Sequence, residues 1–72
     1  MPHTVAAELV GNVAQVMVSV GDSVTPTDTL VILESMKMEI PVLSPRAGTI
    51  KEIRVSEGEA IGEGQLVAVL DA

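Results

Sequence analysis

The chain has 72 residues, with ten Asp or Glu against four Lys or Arg, no Cys, and no Phe, Tyr or Trp. The missing cysteines exclude a disulfide, a thiolate nucleophile and a Cys-ligated zinc. The missing rings leave nothing for bases to stack on, and a net charge of −6 repels phosphate backbones, so nucleic-acid binding is not expected.

The opening residues 1–10 hold no Lys or Arg, and Glu8 interrupts their apolar positions. No apolar run approaches the roughly 20 residues of a membrane span. Neither a secretory leader nor a membrane segment is expected, and the cytoplasm is the default compartment. A chain this short buries only about 60% of its unfolded surface, so it must pack efficiently. It draws on 12 Val, 5 Ile and 6 Leu. Val and Ile are stiff at χ1 and suit a pleated sheet. Gly or Pro recurs too often for a long helix.

In chain order, strands are predicted near Thr4–Glu8, Val13–Val18, Ser23–Thr25, Thr29–Ser35, Met38–Leu43, Gly48–Val55, Ala60–Ile61 and Leu66–Asp71. Val16 to Val20 alternates apolar and polar with period two, blurred by Met17, and Ile53 to Ser56 does so more cleanly. Leu30 to Leu33 and Leu66 to Leu70 are short apolar runs; periodicity alone does not separate strand from buried helical turn there, and branched content and length favour strands packed on both faces or lying at the sheet centre. Gly21-Asp22 and Gly58-Glu59 are turns, Pro26 sits in a polar loop, and Pro45 marks a strand break or sheet edge. The reading is all-β, folded over on itself as a sandwich or flattened barrel to hide its edges.

The chain is written twice. At an offset of 37 residues, Gly11 to Val24 lies over Gly48 to Ile61. Gly11/Gly48, Gly21/Gly58, Val18/Val55 and Ser19/Ser56 are identities, and Val5 falls on Val42. Downstream, a one-residue deletion in the second copy sets Leu30-Val31 over Leu66-Val67. Neither half can bury its apolar face alone, so residues 1–72 are read as one pseudo-twofold domain.

The seam between the copies is Glu34-Ser35-Met36-Lys37-Met38-Glu39-Ile40, with 36 residues before Lys37 and 35 after it. Strands run in and out of this tract with no Gly, Pro, Asn or Asp at its centre, which is odd for a tight hairpin. A lone Lys at a turn is ordinarily a solubilising residue and a Met pair ordinarily core. Here, if Lys37 points out from a tip, its two Met neighbours cannot both be deeply buried. An exposed, adaptable apolar pair marks a recognition surface.

Glu34-Ser35-Met36-Lys37-Met38 resembles the Glu-Ala-Met-Lys-Met attachment signature of biotinyl domains. The resemblance covers nearly the whole chain: Gly11, Gly21-Asp22, Val24, Leu30, Glu34, Pro45, Gly48 and Gly58 fall where biotinyl and lipoyl attachment domains carry such residues. Length and the tract ending in Ile40-Pro41 look most like free-standing bacterial biotin/lipoyl attachment proteins. Ser35 replaces the common Ala, Thr27 stands where Gly is usual, Glu8-Leu9 replaces a frequent Pro-Met, and no extra insertion separates Gly21 from Glu34.

The resemblance implies a barrel-sandwich hybrid, a flattened eight-stranded barrel of two four-stranded sheets with pseudo-twofold symmetry. It implies a monomeric, non-catalytic carrier of biotin-dependent carboxylases. Lys37 would take covalent biotin from a biotin protein ligase, with Met36, Met38, Glu34 and Ser35 recognised by that ligase. The biotin arm would then move carboxylate between biotin carboxylase and carboxyltransferase sites. Lipoyl domains share the fold and carry Asp-Lys-Ala at the lysine, so lipoate on Lys37 is the alternative cofactor. An unmodified interaction module of the same fold is the third reading.

Other constellations carry less. Gly21-Asp22-Ser23 superficially resembles an esterase signature, but the sole histidine, His3, lies near an end and suggests no triad or metal ligand. Glu57, Glu59 and Glu63 fit no metal-binding loop and read as a solvated face.

Overall fold

The computed structural model describes residues 2–72, which contain eight strands and no helix. The strands are β1 (Pro2–Ala6), β2 (Gly11–Val16), β3 (Ser23–Val24), β4 (Thr29–Ser35), β5 (Met38–Leu43), β6 (Gly48–Ile53), β7 (Ala60–Ile61) and β8 (Leu66–Asp71). They form two antiparallel four-stranded sheets in the orders β1-β8-β6-β3 and β5-β4-β2-β7. Adding 37 to each first-half strand turns β1 into β5, β2 into β6, β3 into β7 and β4 into β8. That exchange converts the first sheet order into the second. The symmetry read from the sequence is therefore a property of the whole topology.

The match extends to single hydrogen bonds. Gly21 N donates to Ile50 O (2.8 Å) and Gly58 N to Val13 O (2.7 Å). Ser19 N donates to Asp22 Oδ2 (2.9 Å), and Ser56 N to Glu59 Oε1 (3.0 Å). Both central ladders shift register at the same place, between Val13 and Gln15 and between Ile50 and Glu52.

One sequence expectation is corrected: the second copy has no deletion. Met17 N donates to Leu30 O and Arg54 N to Val67 O, which keeps the offset at 37 and equates Leu30 with Val67. The turn at Thr25–Asp28 then answers Gly62–Gln65, with Asp28 N donating to Thr25 O (3.0 Å) and Gln65 N to Gly62 O (3.1 Å). The repeated letters Leu-Val misled, because either side chain fills a central-strand position equally well. The two turns differ at their third residue. Gly64 has φ +85°, whereas Thr27 stays outside the left-handed region and sets its hydroxyl 3.1 Å from that of Thr25.

Strand ends also differ from the alternation. β1 begins at Pro2 and stops at Ala6, β2 spans Gly11–Val16, β3 stops at Val24, and β6 stops at Ile53. Val18 and Val55 nevertheless pack into the core from irregular segments. Period-two alternation reports which side chains are buried and not which backbone is paired.

The core lies between the sheets. Leu30, Leu33, Ile50, Leu70, Val13, Val31 and Val67 are fully buried. Three symmetry pairs supply most of these: Leu33 with Leu70, Val13 with Ile50, and Leu30 with Val67. The buried polar side chain of Ser44 is satisfied by donating to Arg46 O (2.6 Å). Edges are managed as exposed strand edges require: β3 and β7 are two residues long, and the edge strand β5 carries Pro41, which has no N–H to offer.

Candidate attachment site at the β4–β5 tip

β4 and β5 pair from Thr29↔Leu43 through Ile32↔Pro41 and Glu34↔Glu39 to Ser35↔Met38. Only Met36 and Lys37 remain to turn the chain, so the seam is a two-residue hairpin. Met36 has φ 53° and Lys37 φ 64°, the only positive-φ residues other than Gly among the described residues. Both central positions of a type I′ turn need φ > 0, which is why Asn-Gly or Gly-Gly normally fills them. A side chain there brings Cβ close to the following carbonyl oxygen and costs roughly 1–2 kcal/mol per residue. The long ladder beneath holds the strained pair in place.

The strain sits where the side chains are most open. Met36 is 92% exposed and Met38 60% exposed, and Lys37 is exposed between them. Neither Met belongs to the core. Lys37 makes no hydrogen bond or ion pair among the described residues, so its amine is unencumbered. The other lysine, Lys51, lies within β6.

The remaining expected site residues sit just below the tip. Ser35 is half-buried and closes the hairpin against Met38, while Glu34 is exposed and pairs with both Glu39 and Asn12. Two residues named in the sequence reading, but given no role at the site, join it here. Glu39 stands directly opposite Glu34, and the signal for it was present, because a two-residue turn at 36–37 pairs residues whose numbers sum to 73. Gly11 supports the base of the hairpin: a Cβ there would lie 2.8 Å from Glu34 O and 3.4 Å from Ser35 Cβ. Its symmetry mate Gly48 meets Asp71 O at 2.9 Å in the same way.

The other sequence candidates do structural work. Asp22 caps the turn before β3, so Gly21-Asp22-Ser23 is a turn. Glu57 Oε2 accepts from Val16 N (3.0 Å), and Glu59 accepts from Ser56 N and from Gln65 Nε2. His3 lies in β1.

Comparison with known proteins agrees with this geometry. The family model described as "Biotin-requiring enzyme" matches residues 1–70. A biotinylated protein TB7.3 homolog of Mycolicibacterium smegmatis is 52% identical over 99% of this chain and 100% of its own. The biotin/lipoyl attachment protein of Bacillus subtilis is 40% identical over 93% of this chain and 92% of its own. The urea carboxylase of Kluyveromyces lactis contains the same fold, with a TM-score of 0.92 at 30% identity over 99% of this chain and only 6% of that enzyme. With its two symmetric sheets and a strained Met-Lys hairpin at the seam, the chain belongs to the biotin/lipoyl attachment-domain family, as a biotin-carrier domain.

Proposed function

We propose that Lys37 is the residue to which biotin is attached, and that the chain is the carrier component of a biotin-dependent carboxylase without catalytic activity of its own. The observation that carries this is the Met36-Lys37 turn: a lysine at a strained, fully open tip, with two exposed Met flanking it. Where a rule of local structure is broken with no gain in packing, function is the expected reason. Glycine would relieve the turn, but it could supply neither an amine nor an apolar contact.

The residues present fit the group. Attachment requires the neutral Lys37 amine to attack the acyl carbon of a ligase-bound biotinyl adenylate. The N–C bond of an amide would form as the acyl–phosphate bond breaks and AMP leaves; the nitrogen would lose one proton and keep one, so the arm becomes an uncharged secondary amide. The two-residue turn holds Nζ clear of the sheets, which leaves the approach unhindered. Met36 and Met38 offer adaptable apolar contacts to a ligase groove, and Glu34 and Ser35 set the shape of the hairpin base. When bound, biotin supplies a ureido nitrogen that accepts and releases carboxylate; the protein supplies position. Met-Lys-Met and Asp-Lys-Ala would suit different ligases, which separates biotin from lipoate carriers. A biotin carboxylase and a carboxyltransferase are the catalytic partners this role requires.

Intact mass after incubation with biotin protein ligase, and separately with lipoate ligase, tests the reading. One biotinyl adduct is expected with the first. Lys37→Arg should abolish labelling and leave the unfolding free energy within about 0.5 kcal/mol of the parent, as for a surface site. Met36→Asp combined with Met38→Ala should lower the labelling rate, and an unchanged rate would remove those residues from recognition. No adduct with biotin ligase would overturn the proposal.

A further inference from the structure

The internal symmetry provides a control surface within one molecule. On β4, Ile32 lies between fully buried Val31 and Leu33, so its side chain is on the outer face of the β5-β4-β2-β7 sheet. Its ladder partners there are Gln15 and exposed Pro41. Met17 and Leu43 each follow a residue packed on the core and are 47% and 48% exposed. This outer face therefore carries an apolar strip of exposed Met17, Pro41 and Leu43 with half-buried Ile32, interrupted by exposed Gln15. The symmetry-related positions on the other sheet are Arg54, Val69, Thr4 and Ala6. There Val69 is 7% exposed, and Arg54 is held by Glu52 at 2.7 Å. At three of the four positions, those of Met17, Pro41 and Leu43, the other sheet carries a charged or short side chain instead, Arg54, Thr4 and Ala6.

Charge is divided the same way. The strands β5, β4, β2 and β7 contain no Lys or Arg, whereas Lys51 lies in β6 and Arg54 just beyond it. Glu34 and Glu39 sit on the outer face of β4 and β5, between the apolar strip and the Lys37 tip. A second copy would set these acids against their own kind. A partner with the opposite charge would not.

We infer that the outer face of the β5-β4-β2-β7 sheet is a docking surface for a carboxylase catalytic subunit presenting an apolar strip bordered by Lys or Arg. This rests on the carrier role proposed above. β4 and β5 form both the face and the Lys37 hairpin, so docking here fixes the direction in which the tip points.

The test uses the chain biotinylated on Lys37 and titrated against purified biotin carboxylase and carboxyltransferase subunits. Met17→Glu with Leu43→Glu should weaken binding to at least one subunit about tenfold, as expected for loss of central apolar contacts, and raise KM for the carrier in carboxylation. Parental affinity should fall as salt rises. Arg54→Met on the opposite sheet should change neither. Adduct formation on Lys37 is measured first, and its failure would count against the carrier role and not the face. If the adduct forms and the double variant binds both subunits as the parent does, the inference is overturned. It is equally overturned if ligase labelling falls by the same factor, or if the parent self-associates through Met17 and Leu43.

Discussion

At the scale of single residues, Met36 and Lys37 hold the most informative backbone in the chain. Both occupy the left-handed region with full side chains, and both are exposed. Met36→Gly isolates the energetic part. Relief of about 1–2 kcal/mol at the turn exceeds the roughly 0.4–1 kcal/mol that glycine costs through the unfolded chain. Urea denaturation should therefore show a gain of about 0.5–1 kcal/mol, on the same principles. Ligase labelling should fall, because the apolar contact is gone. Much of this site was legible in the sequence. A tip with no turn-forming residue, an isolated basic residue and two Met that could not both be buried are all visible in the letters. The positive φ of both central residues was not, because it follows from the ladder beneath closing on Ser35 and Met38, and register belongs to the paired strands together.

At the scale of elements, the glycines divide into two kinds, turn formers and close-approach sites, and sequence marks only the first. Gly21 and Gly58 sit at positive φ in equivalent turns. Gly11 and Gly48 instead make room where strands cross closely, under Glu34 and Asp71 respectively. Ala at either close-approach site should cost about 1–3 kcal/mol by forcing the backbones apart, read as a shift in the denaturation midpoint. Gly11→Ala should also slow labelling of Lys37, since it displaces the base of the β4–β5 hairpin, whereas Gly48→Ala should leave the labelling rate unchanged. Strand existence was legible element by element, because β-branched runs and turn residues recur in order. Strand ends were not, since Val18 and Val55 continue the buried pattern after pairing has stopped.

At the scale of the whole molecule, two half-copies build one core, and neither has a core without the other. Leu33 and Leu70 are symmetry mates, both fully buried. Truncation of either to Ala should cost about 2–5 kcal/mol, and the two costs should agree within the uncertainty of the fit. At about 0.05–0.15 kcal/mol per residue, that loss is a large part of the total stability. Either variant is expected to be substantially unfolded at 37 °C by circular dichroism. The offset of 37 was legible from glycines and valines alone, but its exactness was not. The Thr25–Asp28 and Gly62–Gln65 turns share hydrogen bonds and not residues, so letters suggested a gap that the register does not contain. The symmetry also explains the position of Lys37. Its hairpin joins the copies at one end, and the position related to it at the other end lies where β1 pairs with β8, at Pro2 and Asp71.

The most direct test of the central claim is peptide mapping by mass spectrometry after biotin protein ligase has acted on the purified chain. The chain has two lysines, Lys37 at the strained tip and Lys51 within β6. A biotinyl group is expected on the peptide containing Lys37 and none on that containing Lys51. Biotin on Lys51, equal labelling of both, or none on either would contradict it.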